Sequence, residues 1–372
     1  MQMSNGWTFS FSGNVNAFLV YEKENDGTTA TPGGIVGNSD ESATRIRTGL
    51  LPAFAVFDAK GKEGETDLGV HFGFAPQIQC GPGNSVNGQL HDCFGAQIDM
   101  RQVYLTVGGT WGQILAGREL GLFGRQNILT DQTLFGIGAT GGQLSGGTTL
   151  GRIGFGYIYP QFKAQMTYST AAGRPFQLSV GLFDPATNPP YTTIEVPRLE
   201  AEGVYSQGNT KIWGGALLQS NKTPGDAGET ATSYGLSGGA RFGSARFSLT
   251  GSGYWGKGIG TTLMFLGGTG GAGTGSDDLR DSYGGIGQVT FTPTDSKVTI
   301  GGSWGISILK AADSEGGDGE TKNWLASGGI YYQATKSLKV VGEFNYAVTS
   351  DNVDGTDDNK SIAPAVGLML FF

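Results

Sequence analysis

Cysteine and histidine are nearly absent, with two of each in 372 residues. So few soft ligands exclude zinc or iron–sulfur chemistry of the usual kind. His71 and His91 lack the partners that a metal site or a triad needs. Charged residues make up only 15% of the chain, against about 25% in an ordinary soluble domain. No apolar run approaches the ~18 residues of a membrane helix, so hydropathy alone would class the chain as soluble. The opening MQMSNGWTFS has no basic segment followed by an apolar core, so no signal peptide is expected in it. The chain is then either cytosolic or a mature form with a new start. No basic patch with interleaved aromatics is present, so no nucleic-acid partner is expected.

Glycine is what the chain has in excess, with 67 residues against an average near 7%. No Gly-X-Y period runs through it, which excludes a collagen-like chain. The 21 Phe, 13 Tyr and 6 Trp are spread along the whole length, which excludes a disordered linker. Two matches to G-x-S-x-G (Gly235–Gly239 and Gly301–Gly305) and one to G-x-G-x-x-G (Gly268–Gly273) are expected by chance at this glycine content. None sits in the strand-to-helix context that such motifs require. An enzyme is not expected, nor a cofactor. No linker divides the chain, so 1–372 reads as a single domain.

The ordering principle is period two. In residues 7–21, Trp7, Phe9, Phe11, Val15, Ala17, Leu19 and Tyr21 share one face, and Thr8, Ser10, Ser12, Asn14 and Asn16 share the other. That is a strand, and a long one. Residues 245–256 set Phe247, Leu249 and Trp255 against Arg246, Ser248, Thr250 and Ser252. Residues 338–349 set Leu338, Val340, Phe344, Tyr346 and Val348 against Lys339, Glu343, Asn345 and Thr349. Short breaks such as 206–211, 243–245, 294–297 and 335–337 alternate with long Gly- and acid-rich ones such as 221–232, 257–281, 310–322 and 350–360. This is the rhythm of antiparallel hairpins with tight turns at one end and large loops at the other. It predicts about sixteen strands of roughly ten residues: 7–22, 42–57, 65–78, 96–107, 111–118, 151–169, 176–183, 196–207, 210–220, 233–243, 245–256, 282–293, 297–309, 323–334, 338–349 and 361–372. Phase slips near Gln102 and Pro160 predict bulges or bends.

Strands with one greasy and one charged face suit either a soluble sandwich or a transmembrane β-barrel with a watery lumen. The strand length fits a tilted crossing of a ~30 Å hydrocarbon layer. Aromatics fall near strand ends (Trp7, Tyr21, Trp255, Trp324, Tyr332, Phe372), where interfacial girdles need them. Arginine recurs on polar faces, where a lipid-facing arginine would cost about 2–4 kcal/mol. Closure also removes exposed sheet edges. The fold class expected is therefore all-β, a transmembrane antiparallel β-barrel. A soluble or surface all-β adhesion or structural protein is the alternative from another class.

Three segments then carry a family resemblance. SIAPAVGLMLFF (361–372) alternates and ends in Phe372; RQVYLTVGGTWGQILAGRELG (101–121) leads into a long break; GRIGFGYIYPQF (151–162) leaves it. These resemble the Gram-negative general porin family of trimeric, sixteen-stranded channels. The resemblance implies a homotrimer in the outer membrane of a Gram-negative bacterium, in contact with lipid and lipopolysaccharide. It implies passage of small hydrophilic solutes and ions, and delivery by the outer-membrane assembly machinery through a terminal signal at Phe372. It also implies an inward-folded third loop, here about 119–150, that narrows the lumen. A substrate-selective channel is the alternative within the class.

That loop carries few charges, Glu119, Arg125 and Asp131 among them. The expected constriction sets a basic wall of Arg45, Arg47, Arg101, Arg118 and Arg152 against Glu119 and Asp131. Fixed charge of this kind tunes ion choice. The formal charge of −8 lies mostly in the long breaks, so a negative mouth opposes a basic interior and selectivity should be weak, leaning to anions. The acidic stretches 313–320 and 351–359 do not fit the calcium-loop spacing. Cys80 and Cys93 lie close together in one polar break, and a disulfide between them suits an oxidising compartment. In the resembling family the second loop latches onto a neighbouring subunit, which a stapled loop would serve.

Overall fold

A computed structural model describes residues 6–79, 85–86, 89–93, 98–141, 147–186, 196–222, 230–265 and 278–372, with backbone only between 85 and 93. The wall begins with β1 (Thr8–Glu24), β2 (Ser42–Arg47), β3 (Phe54–Glu63) and β4 (Thr66–Pro76). A two-stranded hairpin, β5 (Ser85–Val86) and β6 (Gln89–Cys93), lies in the connection that follows. The wall resumes with β7 (Ile98–Gly109), β8 (Gly112–Leu120), β9 (Phe162–Ser169), β10 (Phe176–Phe183), β11 (Arg198–Gln207) and β12 (Thr210–Lys222). It continues through β13 (Thr230–Gly243), β14 (Phe247–Lys257), β15 (Asp281–Phe291), β16 (Val298–Lys310), β17 (Glu320–Gln333), β18 (Leu338–Asp351) and β19 (Asn359–Phe371).

Every wall strand pairs antiparallel with its sequence neighbour, and β1 pairs with β19 to close the ring, with Val15 opposite Leu370 and Leu19 opposite Val366. The sheet contains seventeen strands. β2 and β3 both pair with β1, at its two ends, so they are halves of one stave and the barrel has sixteen. Short turns join β3 to β4, β7 to β8 and β11 to β12; long connections fill the other end.

The predicted strand 42–57 is interrupted, and the reason lies in its neighbours. Residues 48–53 swing inward, where their backbone finds other partners. The Gly49 amide donates to Asn16 Oδ1 at 2.9 Å, Asn16 Nδ2 donates to the Leu51 carbonyl at 2.8 Å, and the Leu50 amide donates to the Gly136 carbonyl at 3.0 Å. The predicted strand 151–169 is likewise corrected: only Phe162–Ser169 is strand. Its apparent alternation over Ile153, Phe155, Tyr157 and Tyr159 is carried by a folded segment whose Gly154 and Gly156 have φ of 81° and 136°. The phase slip near Gln102 is a β-bulge. Gly73 pairs with Gln102 but Phe74 pairs with Met100, leaving Arg101 as the extra residue. Near Pro160, Gln161 takes φ 62°.

Burial is inverted relative to a soluble protein. Leu249, Ile330 and Leu368 on outward faces are each more than half exposed, while Arg47 and Glu200 are 2% and 0% exposed. An apolar exterior of this extent far exceeds the few hundred Å² a soluble monomer shows. Among the described residues no helix is long and apolar enough to cross a membrane; the crossing is made by strands joined in a closed ring. Aromatics flank the apolar band. At the turn side Phe11 packs on Phe57 and Phe372 (centroids 4.9 and 5.2 Å), and Trp111 stacks on Tyr168. At the loop side Tyr234 meets Trp255 and Trp324 meets Tyr346. On that side the outward ends of the strands turn to lysine: Lys23, Lys222, Lys257, Lys310, Lys322 and Lys360. Lys23 lies 3.7 Å from Asp40, and Lys322 lies 2.9 Å from Glu320.

Candidate functional site: the lumen and its inward segment

The connection between β8 and β9 is residues 121–161, and its described residues lie inside the barrel. It is longer than the predicted 119–150 because the stretch after residue 150 belongs to it. It opens with α1 (Arg125–Thr130) and a short 3-10 turn (Gln132–Phe135). Asp131 starts that turn by accepting from the Thr133 amide at 2.9 Å, and it also accepts from Thr133 Oγ1 and Tyr157 Oη, each at 2.7 Å. The outgoing and returning legs touch at Gly138 and Gly151 (φ 56° and 58°), where a side chain on Gly138 would collide with the Gly151 backbone.

Polar side chains of the wall hold this segment from β11 round to β1. Glu200 on β11 accepts from the Leu122 and Phe123 amides at 2.7 and 2.9 Å. Its neighbour Glu202 takes Arg125 through Nη2 at 2.5 Å and Nε at 3.3 Å. Trp213 Nε1 on β12 donates to Asn127 at 2.8 Å, and Gln288 on β15 accepts from the Gln132 amide at 2.7 Å. Glu343 on β18 accepts from the Ile137 and Gly138 amides at 3.0 and 2.6 Å; Glu22 on β1 accepts from Thr140. Backbone amides of a non-regular segment have no ladder of their own, so buried carboxylates supply the acceptors. Apolar contacts fill between these points: Phe18, Ile137 and Val341 in one cluster, Phe123, Ile158 and Leu217 in another.

The segment leans on one side of the ring, and free space remains against β3–β10. At the loop end a cavity of about 710 Å³ is lined by Asp99, Arg101, Arg118, Lys163 and Asp184. A middle chamber of about 550 Å³ shares Arg101, Tyr159, Phe162 and Leu263 with it. A third space of about 360 Å³, at the turn end, shares Glu119 and Arg125 with the chamber.

The seven residues expected at the constriction do not meet at one locus. Arg101, Arg118 and Glu119 line these spaces. Arg101 lies 2.8 Å from Asp99, and Glu119 accepts from Gln102 at 2.8 Å. The bulge turns both Arg101 and Gln102 toward the chamber. Arg45 and Arg47 face inward on β2, but they are buried, and Arg47 donates to the Gly147 carbonyl at 2.6 Å. Arg152 is fully buried and donates to the Leu325 and Ser303 carbonyls at 2.9 and 2.8 Å. Asp131, 3% exposed, is spent on its turn. The physical reason is the segment itself: Arg47 lies beneath it, while Arg152 and Asp131 belong to it and are turned to the wall and to its own turn. Sequence reasoning did not single out Lys163, Tyr159, Leu129, Glu200 or Glu343. For the two carboxylates a signal existed, acids on the watery face of a strand. Cys80 and the side chain of Cys93 lie outside the described residues. Phe372 exchanges backbone hydrogen bonds with Gly13 at 2.9 and 3.0 Å. Among the described residues no group of His, Cys, Asp or Glu could hold a metal ion.

A closed barrel with an apolar exterior and cavities that share walls inside its lumen has the architecture of a membrane-spanning channel protein. The chain matches the family model described as Gram-negative porin over residues 2–352, and it belongs to that family. It is an outer-membrane porin, and its family comprises channels rather than enzymes. No curated protein matches the chain in sequence. Among solved structures it is similar to the outer membrane channel DcaP of Acinetobacter baumannii (14% identity, TM-score 0.74, covering 100% of this chain and 99% of that one). It is also similar to an anion-selective porin from Comamonas acidovorans (12%, TM-score 0.65, covering 98% and 100%). A third likeness is to OmpF of Salmonella typhi in complex with daunomycin (12%, TM-score 0.61, covering 100% of both chains). At such identities these likenesses speak for the fold alone.

Proposed function

We propose that the protein passes small hydrophilic solutes and ions by passive diffusion, and that residues 121–161 set the narrowest part of the path. The observation that carries this reading is the run of three spaces sharing walls between the inward segment and β3–β10. Arg101, Arg118, Lys163 and Arg125 face Asp67, Asp99, Asp184 and Glu119 along it. The bases gather in the loop-end space, where Arg101, Arg118 and Lys163 outnumber Asp99 and Asp184; that small local excess, below an acidic mouth, gives weak selectivity leaning to anions. Arg47 and Arg152 act from behind, by tying the segment to the wall, and Asp131 by holding its turn. The functional unit is a homotrimer, with Cys80 and Cys93 joined as a staple worth ~3 kcal/mol in the entropy model. The outward lysines at the loop side suit the phosphates of lipopolysaccharide, and Phe372 serves the assembly machinery as the terminal signal.

The test is reconstitution of purified protein in a planar bilayer under a salt gradient. Triplet conductance steps and a small reversal potential of anionic sign are expected. A folded sample that gives no steps defeats the reading; a strongly cationic reversal potential defeats its charge assignment.

A further inference from the structure

The middle chamber is the apolar stretch of the path. Resting on the channel reading above, we infer that it is a selective site for small amphipathic monoanions, aromatic or branched-chain carboxylates with one charged end and an apolar body. Leu129 and Leu263 stand in it 49% and 39% exposed, although both face the interior of the barrel. Phe54, Leu134, Ile153 and Phe162 complete an apolar surround on several sides. The volume, about 550 Å³, is that of a small-molecule pocket. Water against such a surface is displaced favourably by an apolar group, and a sugar gains nothing there.

Charge decides which amphiphile fits. Arg101 stands where the chamber meets the loop-end space, its guanidinium carbon 5.7 Å from the Phe162 ring centroid and Nη1 3.4 Å from Tyr159 Oη. Arg118 and Lys163 lie in that outer space too. A carboxylate held at this mouth leaves its apolar body pointing into the chamber. The one acid inside, Glu119, accepts from Gln102 Nε2 at 2.8 Å and from the Leu120 amide at 2.6 Å, and it is outnumbered in the chamber lining by Arg101 and Arg125, which disfavours a cation. At the far end Arg125 is engaged at two nitrogens by both oxygens of the buried Glu202, whereas the half-exposed Asp99 takes only Arg101 Nε, at 2.8 Å, so the mouth is the better anion site. One charge is therefore favoured over two.

The test is block of single-channel current in KCl by benzoate, acetate and benzylammonium, each read relative to the variant's own KCl conductance. Benzoate should interrupt current at a concentration about tenfold below that of the other two. L129N, altering an exposed side chain, should weaken benzoate block about fivefold without moving acetate. R101Q should abolish the preference for benzoate over benzylammonium. Equal potency of benzoate and acetate, or an unchanged benzoate block in L129N, overturns the inference while leaving the channel reading intact. Absence of KCl steps overturns both.

Discussion

Glu343→Ala should loosen the inward segment without loosening the barrel. Glu343 Oε1 accepts from the Ile137 and Gly138 amides and from Asn345 Nδ2, and Oε2 accepts from Tyr331 Oη. The carboxylate is buried, at 5% exposure. Alanine strands two backbone N–H groups, each at about 1–3 kcal/mol, or about 2–6 kcal/mol for the pair. The β17–β18 and β18–β19 ladders through this position are backbone-made and survive, so the cost falls on the Ile137–Gly138 contact. With tenfold per ~1.4 kcal/mol, the population with this stretch detached rises at least about thirtyfold. Glu343→Gln keeps one oxygen for the amides and can donate to Tyr331 Oη, so it should stay near wild type. Single-channel recording in planar bilayers is the assay. The alanine variant should show larger, noisier conductance with unchanged strand content by circular dichroism. A trace identical to wild type in mean and variance, from a folded barrel, would refute the anchoring argument.

Gly138→Ala should perturb the same segment by another route, adding about 1–3 kcal/mol of backbone strain and a collision with Gly151; open-channel noise should rise, with barrel melting little changed. Leu249→Arg, on the lipid face of β14, should cost about 2–4 kcal/mol and sharply lower the yield of folded barrel in lipid vesicles. In the loop region, Arg280 hydrogen bonds hold the Glu315 carboxyl below its ordinary value, against partial burial. The stabilisation is therefore complete above the ordinary carboxylate range and is lost as pH falls through the lowered value; a spin label on Ser314 should gain mobility only in acid, and R280Q should gain it at neutral pH. Peptide mapping without reductant should recover Cys80 and Cys93 cross-linked, and two free thiols would remove the staple.

How far the sequence could be read depended on whether a residue answered to one neighbour or to several. The face assignment of β1 or β18 is a two-residue rule that lipid enforces on the outward side; the inward side keeps the phase but turns apolar at Phe18, Val20 and Val341, where the inward segment packs on it. Residues 151–161 obeyed the same rule for a different reason. Phe155 and Tyr157 are fully buried against the inner wall, so their spacing reflects packing inside the lumen and not a ladder. The break at 48–53 carried a local signal in Gly49 and Pro52, but its inward course depends on Asn14 and Asn16 of another strand and on Gly136 far along the chain. Arg47, Arg118 and Arg152 are alike in sequence pattern. Whether each meets solvent or a carbonyl is decided by where a distant segment comes to rest.

The pairing of β1 with β19 has a kinetic side. Each interior hairpin closes between neighbours in sequence, a local and fast event. The seam joins strands from opposite ends of the chain, with the largest loop-closure cost the molecule can incur. Until β19 pairs with β1, β1 and the opposite edge strand both expose unpaired amides and carbonyls along their length. The assembling barrel is thus an open sheet with two adhesive edges until the seam closes. Productive folding requires those edges to be kept from one another's copies until the chain can supply the matching strand itself.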